Sequence, residues 1–227
     1  RLDESNTPRK WSRNEAILGG LMVRITKLQS SFIDQICQRR LEIAMILFRC
    51  IGESLINTRY LLEKNSDELS DKFIEYSLRE EKRLLNKIRK NILARGSELP
   101  IEKRMIKSIN HTFHVSNFKL EDVKENNRES WEETIYKRAE VVGMKDMYSS
   151  IFGLPSHYVH GNWQDLLSNH LEFEDGMFSP NPDWNVPRPQ PLFAICVLSI
   201  DVNRLYLKKT LPNCSDRERV LTLLDDL

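Results

Sequence analysis

The sequence predicts an all-α protein, a single bundle of about six to eight helices. Apolar residues recur at helical spacing along most of the chain. Glycine and proline are scarce, 8 and 9 among 227 residues, against any turn-rich β architecture. No pair of alternating segments joined by a hairpin turn stands out. With 40% hydrophobic residues, a chain of this length buries a sizeable core.

Residues 1–12 read as a polar tail. Ser12 and Glu15 have capping-box spacing, and Ile17, Leu18, Leu21, Ile25, Leu28, Phe32 and Ile36 then form one stripe. A helix over Arg13–Cys37 follows, weakened at Gly19-Gly20 by about 1 kcal/mol per glycine. The next helix spans Arg40–Glu63, with Ala44, Leu47, Ile51, Leu55 and Leu62 as its core face. Asn65 and Glu68 are placed to cap a third, Asp67–Leu93, which buries Leu69, Phe73, Tyr76, Leu84, Leu85 and Ile88 and stops at Arg95-Gly96. Pro100 opens a fourth, reaching His114.

Residues 117–127 are polar and irregular by composition. Trp131–Val142 is helical and ends at Gly143; a short helix over Lys145–Phe152 then meets a break at Gly153-Leu154-Pro155. Five prolines between residues 170 and 191 predict a long loop. Leu192–Lys209 is an apolar helix expected beside Arg40–Glu63, and Ser215 with Glu218 caps a short last one. The helical domain thus covers 13–209, with the loop at 170–191, and 210–227 form a short helix and tail.

Lys+Arg 34 against Asp+Glu 33 leaves a net charge of +1, so no global field draws the chain to nucleic acid or an acidic membrane. No run of about 18 apolar residues exists, and Arg49 ends the stretch Ile43–Phe48. Cys37, Cys50, Cys196 and Cys214 are far apart and form no C-x-x-C, against a disulfide framework or a four-cysteine zinc site. Residue 1 is Arg rather than Met, which leaves a trimmed N-terminus open; the expected location is cytoplasmic.

Two segments carry groups able to do chemistry. On the second helix Arg49, Glu53 and Asn57 are spaced by four, with Tyr60 and Glu42 on the same side. Met45, Ile46 and Ile56 flank this narrow line. It is either a solvent face with an ordinary i,i+4 pair or a covered network whose members need partners. The second segment, Tyr148–Trp163, concentrates Tyr148, Ser156, His157, Tyr158 and His160 around the Pro155 break. A turn there would present His160 to the Arg49 line, with Tyr148, Ser156, Asn57 and Tyr60 around it.

Arg49…Glu53…Asn57…Tyr60-Leu61, then Trp131, Ala139, Tyr148 and Ser156…His160-Gly161, resembles a bacterial domain-of-unknown-function family over about residues 35–167. The resemblance implies an all-helical domain in which Arg49, Glu53, Asn57, Tyr60, Tyr148, Ser156 and His160 converge. The architecture is also similar to HEPN-type nucleotide-processing domains, which carry Arg followed by His after four to six residues. Here the pattern departs: no Arg lies in that window before His157 or His160, and only Arg104–His111 has the spacing.

Two pairs, His111/His114 and His157/His160, with Asp165, His170 and Glu172 after the second, have loose metal-ligand spacing. Without an H-E-x-x-H, neither a metal nor a cofactor is expected. Arg79, Lys82, Arg83, Lys87, Arg89, Lys90 and Arg95, followed by Lys103, Arg104 and Lys107, form a locally basic stretch that would attract RNA or a nucleotide if not simply a solvated face.

Two functions fit. One is a binding or sensor module beside a toxin or anti-phage defence protein, with a protein partner or a homodimer. The other is metal-independent cleavage of an RNA or nucleotide phosphodiester. In it His160 is general acid and base, Arg49 stabilises charge, Glu53 orients them, and Asn57, Tyr60, Tyr148 and Ser156 hold substrate.

Overall fold

The computed structural model describes residues 10–124, 130–210 and 217–225. Among them are nine helices and one small sheet: α1 (Arg13–Cys37), α2 (Leu41–Lys64), α3 (Asp67–Arg95), α4 (Pro100–Ser116), α5 (Ile135–Val141), α6 (Lys145–His160), α7 (Trp163–Asn169), β1 (Leu171–Glu174), β2 (Met177–Pro180), α8 (Pro189–Thr210) and α9 (Arg217–Asp225). The helix-dominated class holds, but the expected six to eight helices become nine, with a strand pair that composition had hidden. The chain divides into two compact units, one built from the segment through Ala16 with Asn65–Thr134, the other from Ile17–Lys64 and the chain from Ile135 onward.

The first unit is a helical hairpin of α3 and α4. Ser66, not Asn65, caps α3: its Oγ accepts from the Leu69 N–H at 3.1 Å. Gly96 ends α3 in the left-handed region at φ +79°. Glu102, three positions into α4, accepts from the Leu99 N–H at 2.9 Å. That bond, with Arg95 adding to it and burial opposing, holds the Glu102 carboxyl below its ordinary range. Leu78, Leu85, Ile88, Ile109, Phe113 and Val123 form the core. Tyr76 and Leu84, expected in the buried stripe, are exposed, because the contact line runs through Leu78, Leu85 and Ile88 instead.

The second unit is built around α2. Helices α5, α6 and α8 pack against it, and its buried residues cover most of the circumference, from Ala44 and Met45 to Ile56 and Leu62. Glu42, Ser54, Thr58 and Tyr60 are buried beside the apolar residues, so the expected apolar core face was too narrow. Helix α8 lies along α2 as the sequence predicts.

Helices α5 and α6 depart most from the expected limits. Helix α6 runs unbroken through Pro155, which is buried inside it, so packing against α2 outweighs the missing N–H. Ser156–His160 are therefore the last turns of a helix rather than a folded-back turn, and Gly161 closes it at φ +55°. Helix α5 starts at Ile135 rather than Trp131, whose ring packs edge-on to Phe73 at 5.2 Å in the first unit.

Within the proline-rich stretch β1 and β2 pair antiparallel, Phe173 facing Phe178. Asp175-Gly176 at the turn takes φ 51° and 80°, the double positive φ a tight hairpin needs. The expected cap Ser215 lies outside the described residues.

Candidate polar sites of the second unit

Spacing by four on α2 does what it predicts for the first pair. The Arg49 Nη1 donates to Glu53 Oε2 at 2.7 Å. The guanidinium also lies over the Phe152 ring of α6, 4.4 Å from its centroid. Tyr148 stacks on the same Phe152 ring, centroids 4.6 Å apart and 13° between planes, and Tyr136 meets Tyr148 edge-on at 5.0 Å. A cation, a carboxylate and three aromatic rings thus form one column between α2, α6 and α5. Phe152 is its middle member, and it carries no polar atom that would have drawn attention in the sequence.

The remaining predicted residues are placed as follows. Asn57 has its Oδ1 buried without a hydrogen-bond partner, as is Arg49 Nε. Tyr60 is buried. The Ser156 hydroxyl donates to the Phe152 carbonyl within its own helix. His160 is exposed at the end of α6, and among the described residues no hydrogen bond or ion pair ties it to Arg49 or Glu53. The geometry brings Arg49, Glu53 and Tyr148 together, and leaves His160 at the helix terminus.

A second polar network lies at the N-terminal end of α2. Glu42 is only 5% exposed. Its Oε1 accepts from the backbone N–H of Asn185 at 3.1 Å and from Asn185 Nδ2 at 3.2 Å. Asn185 Nδ2 also donates to Asn169 Oδ1 at 2.9 Å, and Asn169 Nδ2 donates to Asp165 Oδ1 at 2.8 Å. The Leu41 N–H closes the ring by donating to the Asn185 carbonyl at 3.1 Å. Asp165 and Asn169 sit one turn apart on α7, whose start is capped by Asn162. Burial pushes the Tyr158 phenol above its ordinary range, against its hydrogen bond to Asn169; Glu42 and Asp165 add to the rise and Arg188 opposes it.

Beside this network opens a cleft of about 500 Å³ lined by Leu41, Met45, Leu154, Tyr158, Arg188, Gln190 and Pro191. Sequence reasoning placed Glu42 on the polar line but missed the network. Its members stand more than a hundred residues away, Asn185 in the proline-rich stretch read as loop and Asp165 and Asn169 on the helix before it.

The basic stretch of the first unit is partly committed internally. Lys82 Nζ donates to the carbonyls of Leu120 and Val123 at 2.7 and 2.8 Å. Arg79 pairs with Glu75 at 3.4 Å, Arg83 with Glu80, and Arg95 with Glu102. Lys87, Arg89, Lys90, Lys103, Arg104 and Lys107 remain exposed. Among the described residues no three His, Cys, Asp or Glu side chains converge, and His157 Nδ1 is engaged with Asn162 Nδ2 at 2.7 Å. No described helix is long and apolar enough to cross a membrane.

Fold and sites together define a helix-dominated protein whose buried central helix carries two separate polar clusters. The chain belongs to a family of unknown function (DUF5677), whose model matches residues 15–178. The matched span holds Glu42, Arg49, Glu53, Phe152, His160 and Asp165, and ends before Asn185 and Arg188. No curated protein and no solved structure matches the chain.

Proposed function

We propose that the protein is a non-catalytic binding or sensor module that takes a small molecule in the cleft at the start of α2. The observation that carries this reading is an open cleft of about 500 Å³ two of whose lining residues, Leu41 and Tyr158, are hydrogen-bonded to the network Glu42–Asn185–Asn169–Asp165. Small-ligand sites span about 300–1,000 Å³, mostly apolar with a few fixed polar groups, and this one has that make-up.

Phosphodiester cleavage by His160 and Arg49 draws less support. Arg49 is engaged by Glu53 and Phe152, and no group orients the exposed His160 ring among the described residues. A sensor role beside a toxin or defence protein is the biological setting we propose for the module.

The test is methyl NMR on the full chain, following Met45, Leu41 and Leu154, with pooled amino acids, organic acids and nucleotides added. Saturable shifts confined to those methyls support the reading. Their absence across all pools overturns it, and His160-dependent cleavage of a labelled RNA would establish the enzymatic reading instead.

A further inference from the structure

The hairpin of β1 and β2 leaves two things uncovered, an aromatic face and a strand edge. Phe173 and Phe178 face each other across the pair, ring centroids 4.6 Å apart, and Trp163 of α7 meets Phe178 nearly edge-on at 5.6 Å. All three residues are more than half exposed. Single exposed apolar side chains are ordinary on a protein surface, whereas larger contiguous groups mark contact sites. None of these residues lines the cleft beside α2.

The edge follows from the ladder. The Asn181 N–H donates to the His170 carbonyl at 2.9 Å, which makes His170 and Asn181 a bonded pair. Bonded and non-bonded pairs alternate in an antiparallel ladder, so the register makes Glu172–Ser179 and Glu174–Met177 bonded pairs as well. Leu171 and Phe173 therefore turn their N–H and C=O groups away from β2, and no other described strand pairs with them. On the far side Pro180 has no N–H to offer, which leaves β1 as the edge better able to take another strand.

Sidedness and charge say what that strand would carry. Phe173 lies on the aromatic face, while Glu172 and Glu174, both exposed, lie on the other. From residue 161 to residue 187 the chain holds five acidic residues and no Lys or Arg, in a protein of net charge +1. Such a field repels nucleic acid and acidic lipid, and it would set carboxylates against each other if two copies met hairpin to hairpin. We propose that β1 docks an extended segment of another protein in which basic and apolar residues alternate. Its main chain pairs with Leu171 and Phe173, its apolar side chains lie beside Phe173, and its Arg or Lys side chains lie beside Glu172 and Glu174.

The experiment is NMR titration of the full chain with a synthetic peptide alternating valine and arginine. The controls are a block peptide of the same composition, an alternating valine–glutamate peptide, and the valine–arginine peptide N-methylated at every peptide bond. The alternating valine–arginine peptide is expected to bind saturably, to shift the Leu171 and Met177 methyls, and to protect the Leu171 and Phe173 amides from hydrogen exchange. Met45, in the cleft, should not respond. Each control should bind at least about ten-fold more weakly. Glu172→Lys combined with Glu174→Lys, at exposed positions where folding is not at stake, should reverse the preference and favour the valine–glutamate peptide. Equal binding of the alternating and block peptides would overturn the added strand. Failure of every peptide to bind up to about 1 mM would overturn the site altogether. Met177 shifts that grow with protein concentration in the absence of peptide would place a second copy on this edge instead. Peptide binding that moved Met45 and spared Met177 would assign the peptide to the cleft and equally overturn the proposal.

Discussion

Gly52 of α2 lies directly against Ile151 of α6. A Cβ placed on Gly52 would stand 3.1 Å from Ile151 Cγ1 and 3.3 Å from its Cβ, with Cγ2 nearer still. Ile151 is fully buried, so its branched side chain has no empty volume to retreat into. The two helices meet backbone to side chain at this point. The approach also positions the polar column, because Arg49 and Glu53 flank Gly52 on one helix while Phe152 follows Ile151 on the other.

Gly52→Ala is therefore expected to destabilise the protein by about 1–3 kcal/mol, the cost of overpacking a tight core, even though alanine is the better helix former. Gly20→Ala in α1 is the control: that residue is exposed, with nothing within 4 Å of an added Cβ. It should gain about 0.5–1 kcal/mol. Urea unfolding of both variants checks this, and a stabilised Gly52→Ala would refute the close contact.

Arg49 and Glu53 should behave unequally. Glu53 is 43% exposed, and its i,i+4 pair with Arg49 is worth little in water, so Glu53→Gln should change stability by less than about 0.5 kcal/mol. Arg49 also covers Phe152 with its guanidinium face, so Arg49→Ala should cost about 1–2 kcal/mol. Arg49→Lys keeps the charge but not the flat face, and should fall between. Because the larger part is stacking, the Arg49→Ala loss should persist in high salt. A loss that vanished there would show the ion pair to be the main term.

How far the sequence foretold this arrangement depends on the range of the interaction. Helix α1 has the expected limits, and α2 and α3 shift by one or two residues, because caps and period are local signals. The Arg49–Glu53 pair was legible for the same reason. Pro155 was not: local propensity says break, and only α2 packed against α6 keeps the helix whole. The Asp175-Gly176 turn joins strands of only four residues with almost no buried side, too little alternation to show in the sequence. Glu42 finds Asn185 across 143 positions, a pairing no periodicity encodes.

Acid stability offers a further check. Glu140 accepts from Lys137 at 2.5 Å and from Lys145 at 2.6 Å. These bonds push its carboxyl from the ordinary 4.5 down to about 2. A carboxyl lowered in the folded state adds stability above the unfolded pKa and loses it as pH falls through the folded one. Glu140→Gln should therefore narrow the stability difference between about pH 4.5 and about 2, leaving a flatter acid limb than the wild type. The group is partly exposed, so salt should diminish the effect. Identical limbs in the two proteins would contradict the shift.

The last expectation separates the two polar regions by what each does for folding. His160 is exposed, and no described contact holds its ring, so His160→Ala should alter stability by less than about 0.5 kcal/mol. Asn169 is buried; it donates to Asp165 and accepts from Asn185. Asn169→Ala strands all these groups and the Tyr158 hydroxyl at once, at a cost of about 2–3 kcal/mol. Asn169→Asp keeps the shape but sets a second carboxylate beside Asp165, so its loss should be greatest near neutral pH and shrink as acid protonates one of the two. Thermal unfolding of the three variants between pH 4 and pH 8 (about the range in which paired carboxylates titrate) reads this out. If the Asn169→Asp loss did not grow from about pH 4 to about pH 8, the repulsion argued from the Asn169–Asp165 contact would be wrong.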